Sequence, residues 1–329
     1  MPPESVAETS HQTTEQGLSG TSSHTATATS AQIDMLSAQN TNPILLPSSG
    51  SSDISASANV DLSSVNSFPF PERTTIRQEQ IHFCIKQFKG FIPQLVGQNR
   101  SPFIHPDSYQ RMPPPVYQDL LGVCAMYCQK SPQNQTLIFS ILDSRISSLI
   151  ESSNSSSWLV NDYLVGVQAL IMYQIIRLFD GDIRQRANAE RHLELLQTWT
   201  FRLHSISNIF HNECDIKSPY ERWVFIESTR RTITMSIMVQ AMYSLVKDGY
   251  CTSVPLMATL PVSVDGFLWN LPEESWWKHT LGLGGDLFTY QDFINQWSGG
   301  HTLYTDTYES ILIGACRHNI RRPPPLIPI

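Results

Sequence analysis

The chain has 329 residues, 41% of them hydrophobic, so it can bury the core of one large domain or two small ones. Its 22 Lys and Arg residues are outnumbered by 29 Asp and Glu residues, and the formal net charge of -7 argues against DNA binding driven by overall charge. The first twenty residues lack the basic start and apolar core of a secretory signal, and the most apolar stretch, 163–179, is too short and too polar to predict a membrane span.

The six cysteines are scattered along the chain, which predicts reduced thiols. Cys124 and Cys128 are the only close pair, and no second pair completes a tetrahedral zinc site, so we expect core or surface thiols there. His211, Glu213 and Cys214 lie close together in a predicted loop, but such small groups occur by chance. The sequence therefore predicts no metal site.

Residues 1–72 are dominated by Ser, Thr, Gln, Asn and Ala. This composition buries too little apolar area to offset the entropy lost on ordering, which predicts a disordered tail. A folded domain is predicted over 73–329, where apolar residues begin to recur. Several prolines between Phe91 and Pro115 predict an irregular connector.

Beyond Pro115, apolar residues recur every three or four positions, which is typical of amphipathic helices. The predicted helices span about 116–127, 138–149, 159–179 and 183–207. A fifth, long helix has Ser218 as its N-cap, Pro219 as its first residue and Glu221 in a capping box, and ends before Gly249. Short helical patterns follow near 291–297 and 304–314, and no run of alternating strands is seen, so the predicted fold is all-α.

One ordered set of residues stands out: Trp223-Val224-Phe225-Ile226-Glu227-Ser228-Thr229-Arg230-Arg231-Thr232, then Leu260-Pro261, Asp265, Leu268-Trp269 and Trp276. This order resembles the regulatory region of fungal zinc-cluster transcription factors, over roughly 118–297. The resemblance implies a helical regulatory domain, a nuclear location, no enzymatic activity and no cofactor. It also implies control of a metabolic gene set, such as secondary-metabolite biosynthesis, through the transcription machinery or another DNA-bound factor, with a homodimer as a further option.

Members of that family usually begin with six cysteines that hold two zinc ions, and this sequence has no such pattern. The departure argues against direct DNA binding. Three interpretations remain open: regulation through a partner, a missing upstream exon, or a non-functional remnant of a longer factor.

Glu227 and Arg231 are four residues apart with the acid first, the favourable order for an ion pair on a helix. A structural brace is the preferred interpretation, and an effector pocket in which Arg230 or Arg231 holds an anion is the alternative. The C-terminal aromatics are predicted to pack in the core; they are Trp269, Trp276, Trp277, Phe288, Tyr290, Phe293 and Trp297. Stacking on a planar ligand would instead indicate a small-molecule-binding α-domain or an unrecognised enzyme.

No Gly-x-Ser-x-Gly or phosphate-loop pattern occurs, and the glycine-rich run 282–285 is predicted to be a flexible turn. No catalytic, cofactor-binding or metal-binding residue is therefore predicted. The basic run 317–322, followed by three prolines, is the one compact basic cluster; it favours nuclear import or a polyproline-binding partner, with a solvated tail as the equally common alternative.

Overall fold

A computed structural model describes residues 76–155, 157–210, 218–280, 285–298 and 306–316. The predicted tail 1–72, the loop cluster 211–214 and the basic run 317–322 lie outside the described residues. Eleven α-helices are found in the described ranges: α1 Gln78–Gln98, α2 Pro115–Cys128, α3 Gln135–Ser155, α4 Val160–Asp180, α5 Ile183–Arg191, α6 Leu193–Phe210, α7 Pro219–Asp248, α8 Val254–Thr259, α9 Glu273–Thr280, α10 Tyr290–Ser298 and α11 Thr307–Cys316. The predicted all-α fold is confirmed.

Helix α4 is the centre of the core. It packs against α1, α2, α3, α5, α6 and α7, and Leu170, Ile171 and Ile175 are fully buried. Among the described helices, α4 is long and apolar enough to cross a membrane, but 83% of its apolar window is buried inside the protein. A helix that is apolar on most faces is expected where neighbours surround it, so its composition follows from its central position.

The ends of α7 are set by local signals that the sequence predicted. The Ser218 hydroxyl accepts from the Glu221 amide at 3.1 Å, and Pro219 is the first helical residue. At the other end Gly249 has φ of 78°, where a glycine costs least, and its amide donates to Leu245 at 3.2 Å. The capping box is only half formed, because the Glu221 carboxylate lies 3.4 Å from Arg111.

The connector predicted from Phe91 onward is wrong for its first part, because α1 continues through Pro93 to Gln98. A proline inside a helix costs roughly 3 kcal/mol. Phe91, Ile92 and Leu95 are all fully buried against the core, and each contributes about 1.5–3 kcal/mol of burial. Tertiary packing therefore outweighs the local signal.

The single helix predicted over 183–207 is also wrong, because the structure has two helices that meet at His192. In a continuous helix the Ala189 carbonyl would accept from the amide four residues later. Here it accepts from the His192 amide at 3.0 Å and from the Gln174 side chain at 2.8 Å. Buried Arg177 on α4 also lies 3.2 Å from the His192 ring. Contacts from α4 thus break the helix where no Gly or Pro marks it.

Two short strands were not predicted. Pro261–Ser263 pairs antiparallel with Leu287–Thr289, with Val262 opposite Phe288. Three residues are too few to show an alternating pattern, which explains why no strand signal is visible in the sequence. The first strand, Pro261–Ser263, begins a segment that continues into the 3-10 helix Gly266–Asn270 beside α7.

Candidate functional site

The residues of the ordered motif meet in a buried ion network centred on Glu227 of α7. Glu227 is 2% exposed and accepts from Arg231 at 2.8 Å, from the Ser263 hydroxyl at 2.6 Å and from Arg230. Burial alone would raise the pKa of this carboxyl, but the charges of the two arginines outweigh burial and hold the pKa at about 2. Glu227 is therefore ionised throughout the physiological pH range.

Arg231 joins three parts of the chain. Besides Glu227, its guanidinium donates to Asp306 at 3.0 Å, to the Pro102 carbonyl at 3.3 Å and to the Gly266 carbonyl at 3.2 Å. Its side chain is 1% exposed. Burial opposes the charged form, yet the carboxylates of Asp306 and Glu227 raise the pKa of Arg231 above its usual value. Carboxylates on both sides compensate the charge, as a buried ion requires.

Aromatic rings cover the two faces of this guanidinium. Its central carbon lies 4.4 Å from the ring centroid of Trp269 and 4.4 Å from that of Tyr308. A desolvated cation between two π-faces is favourable by about 2 kcal/mol or more. Buried His105 contacts the Trp269 ring edge to face at 4.8 Å, and burial lowers the pKa of His105 to about 4, so this ring is neutral.

The start of α11 completes the network. Asp306 accepts from the Glu309 amide at 2.9 Å and its own amide donates to the Glu309 carboxyl at 3.3 Å, a capping box in both directions. Glu309 is 4% exposed, and burial, with repulsion from Asp306, raises its pKa to about 8. A Cβ on Gly266 would lie 2.1 Å from the Glu309 carboxyl oxygen, so only glycine fits there.

The C-terminal aromatics divide into two groups. Tyr290 and Phe293 are buried in the main core, with Phe288 and Trp297 packed against it. Trp269 and Trp276 are 2% exposed and lie beside Tyr220 and Trp223 from the start of α7, whereas Trp277 is 39% exposed. Core packing is confirmed for the buried members. The predicted patch is therefore two packing clusters joined through α7.

The geometry supports the brace and argues against the anion pocket. The predicted Glu227–Arg231 pair is present, and it ties α7 to the 261–270 segment and to α11. Arg231 has no exposed face, and Arg230 donates to Glu227 and, at 2.8 Å, to Ser263. The charges of Glu227, Arg230 and Arg231 are thus paired inside the protein, which suits a structural role.

The remaining candidates from the sequence give no chemical site in the part of the chain that is described. No group of three or more metal-ligating side chains occurs there. Cys124 is a buried free thiol and Cys128 an exposed one. A hollow of about 40 Å³ lies among α6, α7 and Leu256, far below the roughly 300–1,000 Å³ of ordinary ligand pockets.

The members of the network that sequence reasoning missed are His105, Ser263, Gly266, Asp306, Tyr308 and Glu309. The Asp-x-x-Glu spacing of Asp306 and Glu309 is a helix-start signature that could have been found. His105 and Gly266 carry no local signal, because their roles come from contacts with residues more than thirty positions away.

Fold and site together define an all-α protein in which a buried ion network braces the long helix α7. The chain is similar to the transcription factor gsfR2 of Penicillium aethiopicum, with 37% identity over 215 residues, which is 62% of this chain and 51% of that protein. The chain thus spans about half the length of the curated relative it matches. No protein-family model matches it, and no solved structure matches it.

Proposed function

We propose that the chain is a regulator of transcription that acts in the nucleus through its helical region and has no enzymatic activity. The observation that carries the proposal is the 37% identity to a fungal transcription factor over 215 residues. The buried ion network is compatible with it, since Arg231 is paired with Glu227 and Asp306 and so ties elements of the fold together.

We further propose that the chain represents the regulatory region of the zinc-cluster family and controls a metabolic gene set, such as one for a secondary metabolite. The order of Trp223–Thr232, Leu260-Pro261, Leu268-Trp269 and Trp276 supports this. We propose that this region reaches promoters through the transcription machinery or another DNA-bound factor, with a homodimer as a further option.

The network gives this function a physical basis. It fastens the 261–270 segment and α11 to α7 through one guanidinium, Arg231. A regulatory domain must present partners with a surface of fixed shape, because ordering the surface on binding weakens the complex. The brace supplies that rigidity.

A tethering experiment tests the proposal. The full chain is fused to an unrelated DNA-binding domain, and output is measured from a reporter that carries the matching site. We expect output to change several-fold relative to the DNA-binding domain alone, in either direction. The Glu221→Gln variant, altered at an exposed residue of α7, is the matched control and should behave like the parent.

A fluorescent fusion of the full chain, expressed in a filamentous fungus, tests the location. Nuclear enrichment is expected. Unchanged reporter output from a fusion that is present and folded in the nucleus contradicts the regulatory role, and complete exclusion of the chain from nuclei contradicts the location.

A second candidate, small-molecule binding, is favoured by one observation. The indole N–H groups of buried Trp269 and Trp276 have no hydrogen-bond partner, and a buried donor without an acceptor is costly. A ligand with acceptor oxygens could supply the partners. Thermal unfolding in a metabolite screen tests this, because a ligand that binds only the native state raises its stability. A panel without any shift contradicts it.

A further inference from the structure

Helix α5 presents a basic surface with an apolar centre. At 100° per residue, Ile183 and Ala187 lie at the middle of its exposed arc, with Arg184 and Arg191 on one side and Arg186 and the half-buried Glu190 on the other. All of these except Glu190 are exposed, Ile183 by 85%. The opposite face, Gln185 and Ala189, is buried against the core. These five exposed residues are named the α5 ridge.

The arginines of the ridge are not neutralised by the protein. In the described residues, none of the three has a carboxylate within ion-pair distance, whereas Arg145 pairs with Asp119 and Arg177 with Asp143. Glu190, the one acid on α5, is held by Lys247 at 2.8 Å and by Tyr243.

Two residues at the start of the ridge, Ile183 and Arg184, add little to the stability of the helix, whereas Arg191 in the last turn and the N-cap Asp182 favour it. Arg184 lies in the first turn, where the positive end of the helix dipole disfavours a cation, and this turn contains no acidic residue. Ile183 gains nothing from burial in the isolated chain. Residues placed against local stability are expected to serve binding, and arginine with an apolar neighbour is typical of interface centres.

We propose that the α5 ridge is a docking surface for an acidic, amphipathic segment of a partner protein. Arg184 and Arg191 are seven residues apart, about 10.5 Å along the helix. That spacing matches acidic residues seven apart on a partner helix, or three apart in an extended strand at about 3.3 Å per residue. Ile183 and Ala187 receive the apolar residues between them.

A protein segment fits this surface better than a nucleic acid. The apolar centre has no counterpart on a phosphate backbone, and a continuous polyanion would be repelled by Asp182 and Glu194 at the borders of the ridge and by Glu190 beside Arg186. A short acidic segment can place its few charges on the arginines and avoid those borders. The inference deepens the proposed function and rests on it for its cellular setting only, since binding is measured on the purified chain.

The test is fluorescence anisotropy with the full chain and one defined probe. The probe is a labelled synthetic helical peptide of about fourteen residues, with Glu at positions seven apart and a leucine stripe beside them. We expect the parent chain to bind it, and the double variant Arg184→Glu with Arg191→Glu to bind at least about tenfold more weakly. Ile183→Ser should also weaken binding, by about threefold or more.

The matched control carries the same charge change elsewhere. Lys86→Glu with Lys278→Glu alters exposed residues of α1 and α9 and should leave peptide affinity within about twofold of the parent. Circular dichroism verifies folding, and Arg184→Gln with Arg191→Gln replaces the charge reversal if that variant unfolds.

Several results overturn the proposal. One is that the ridge variant binds the peptide as tightly as the parent does. Another is that the control variant weakens peptide binding as much as the ridge variant does. The third is that the ridge binds duplex DNA more tightly than the peptide. Failure of the ridge is distinguishable from failure of the proposed function, because peptide binding is read without transcription. A silent tethered reporter with intact peptide binding contradicts the proposed function alone.

Discussion

At Glu227, burial and charge pairing act in opposite directions, and pairing wins. The carboxylate is 2% exposed, so it is stable only because Arg230 and Arg231 neutralise it. Removing one member of a buried ion pair leaves the other uncompensated, at a cost of about 3–5 kcal/mol. This residue therefore determines whether the two arginines can be buried at all.

We predict that Glu227→Gln lowers the free energy of unfolding by about 3–5 kcal/mol, measured by urea denaturation. Glu221→Gln on the same helix removes a pair with Arg111, which is 88% exposed, and should cost less than about 1 kcal/mol. Similar losses in the two variants would contradict the buried network as a source of stability.

Glu309 makes stability depend on pH near neutrality. An ordinary glutamate has a pKa of 4.5, and burial with repulsion from Asp306 raises the value for Glu309 to about 8, although Arg231 lowers it in part. Below 4.5 both folded and unfolded chains hold the proton. Between 4.5 and 8 the unfolded chain releases it first, so the stabilising contribution is lost as pH rises to 8. Glu227 has the opposite sign: its contribution is lost as pH falls from 4.5 toward 2.

We predict that Glu309→Gln flattens the fall in unfolding free energy between about pH 5 and 8. Glutamine keeps the shape of the protonated acid and cannot ionise. Urea denaturation of the parent and the variant across this range measures the difference. Parallel curves for the two proteins would show that Glu309 does not titrate in this window.

Among elements, the closest approach joins the 3-10 helix Gly266–Asn270 to α11. The Cα of Gly266 faces the Glu309 carboxyl, and its carbonyl accepts from Arg231. A Cβ here would displace the buried Glu309 carboxyl, and it would lie 3.8 Å from the Arg231 guanidinium. The glycine is required by contact, since only positions with open space around them tolerate a Cβ.

We predict that Gly266→Ala destabilises the protein by about 1–3 kcal/mol, the usual cost of overpacking. Gly90→Ala, in the middle of α1 with nothing within 4 Å of the added Cβ, should stabilise by about 0.5–1 kcal/mol. Thermal unfolding of both variants measures the two signs. If Gly266→Ala leaves the thermal stability unchanged, α11 can shift at no cost in free energy.

At the scale of the molecule, α7 connects two hydrophobic clusters. Its first turns place Tyr220 and Val224 in the small cluster with Leu268 and Trp276, and its later turns enter the main core around α4. A helix propagates cooperatively, so one cluster cannot open without disturbing the other.

We predict that tryptophan fluorescence and far-ultraviolet circular dichroism give the same urea midpoint. Trp223 and Trp276 report on the small cluster, with Trp269 beside Trp223, whereas Trp158 and Trp199 add a contribution from the main core. The helical signal comes mainly from helices around the main core. A fluorescence transition at clearly lower urea would show that the small cluster opens independently.

Much of the fold could be predicted because its signals are local. The three-and-four spacing of α2, α3 and α4 and the Ser218 and Gly249 caps of α7 depend on residues within one or two turns. The Glu227–Arg231 pair has the same origin, since both residues lie on one helix face. Helix geometry fixes such contacts before any tertiary structure forms.

Tertiary structure decided the rest. Helix α1 continues through Pro93 because Phe91 and Ile92 are buried. The contact from Gln174 of α4 interrupts the helix between α5 and α6 at His192. Asp306 reaches Arg231 across 75 positions, and no local pattern encodes that approach. The sequence by itself determined helices α2, α3 and α4 and where α7 begins and ends, because helical hydrogen bonds and caps are local. Only the packed structure decided which buried charges meet, because desolvation and pairing depend on every neighbour in space.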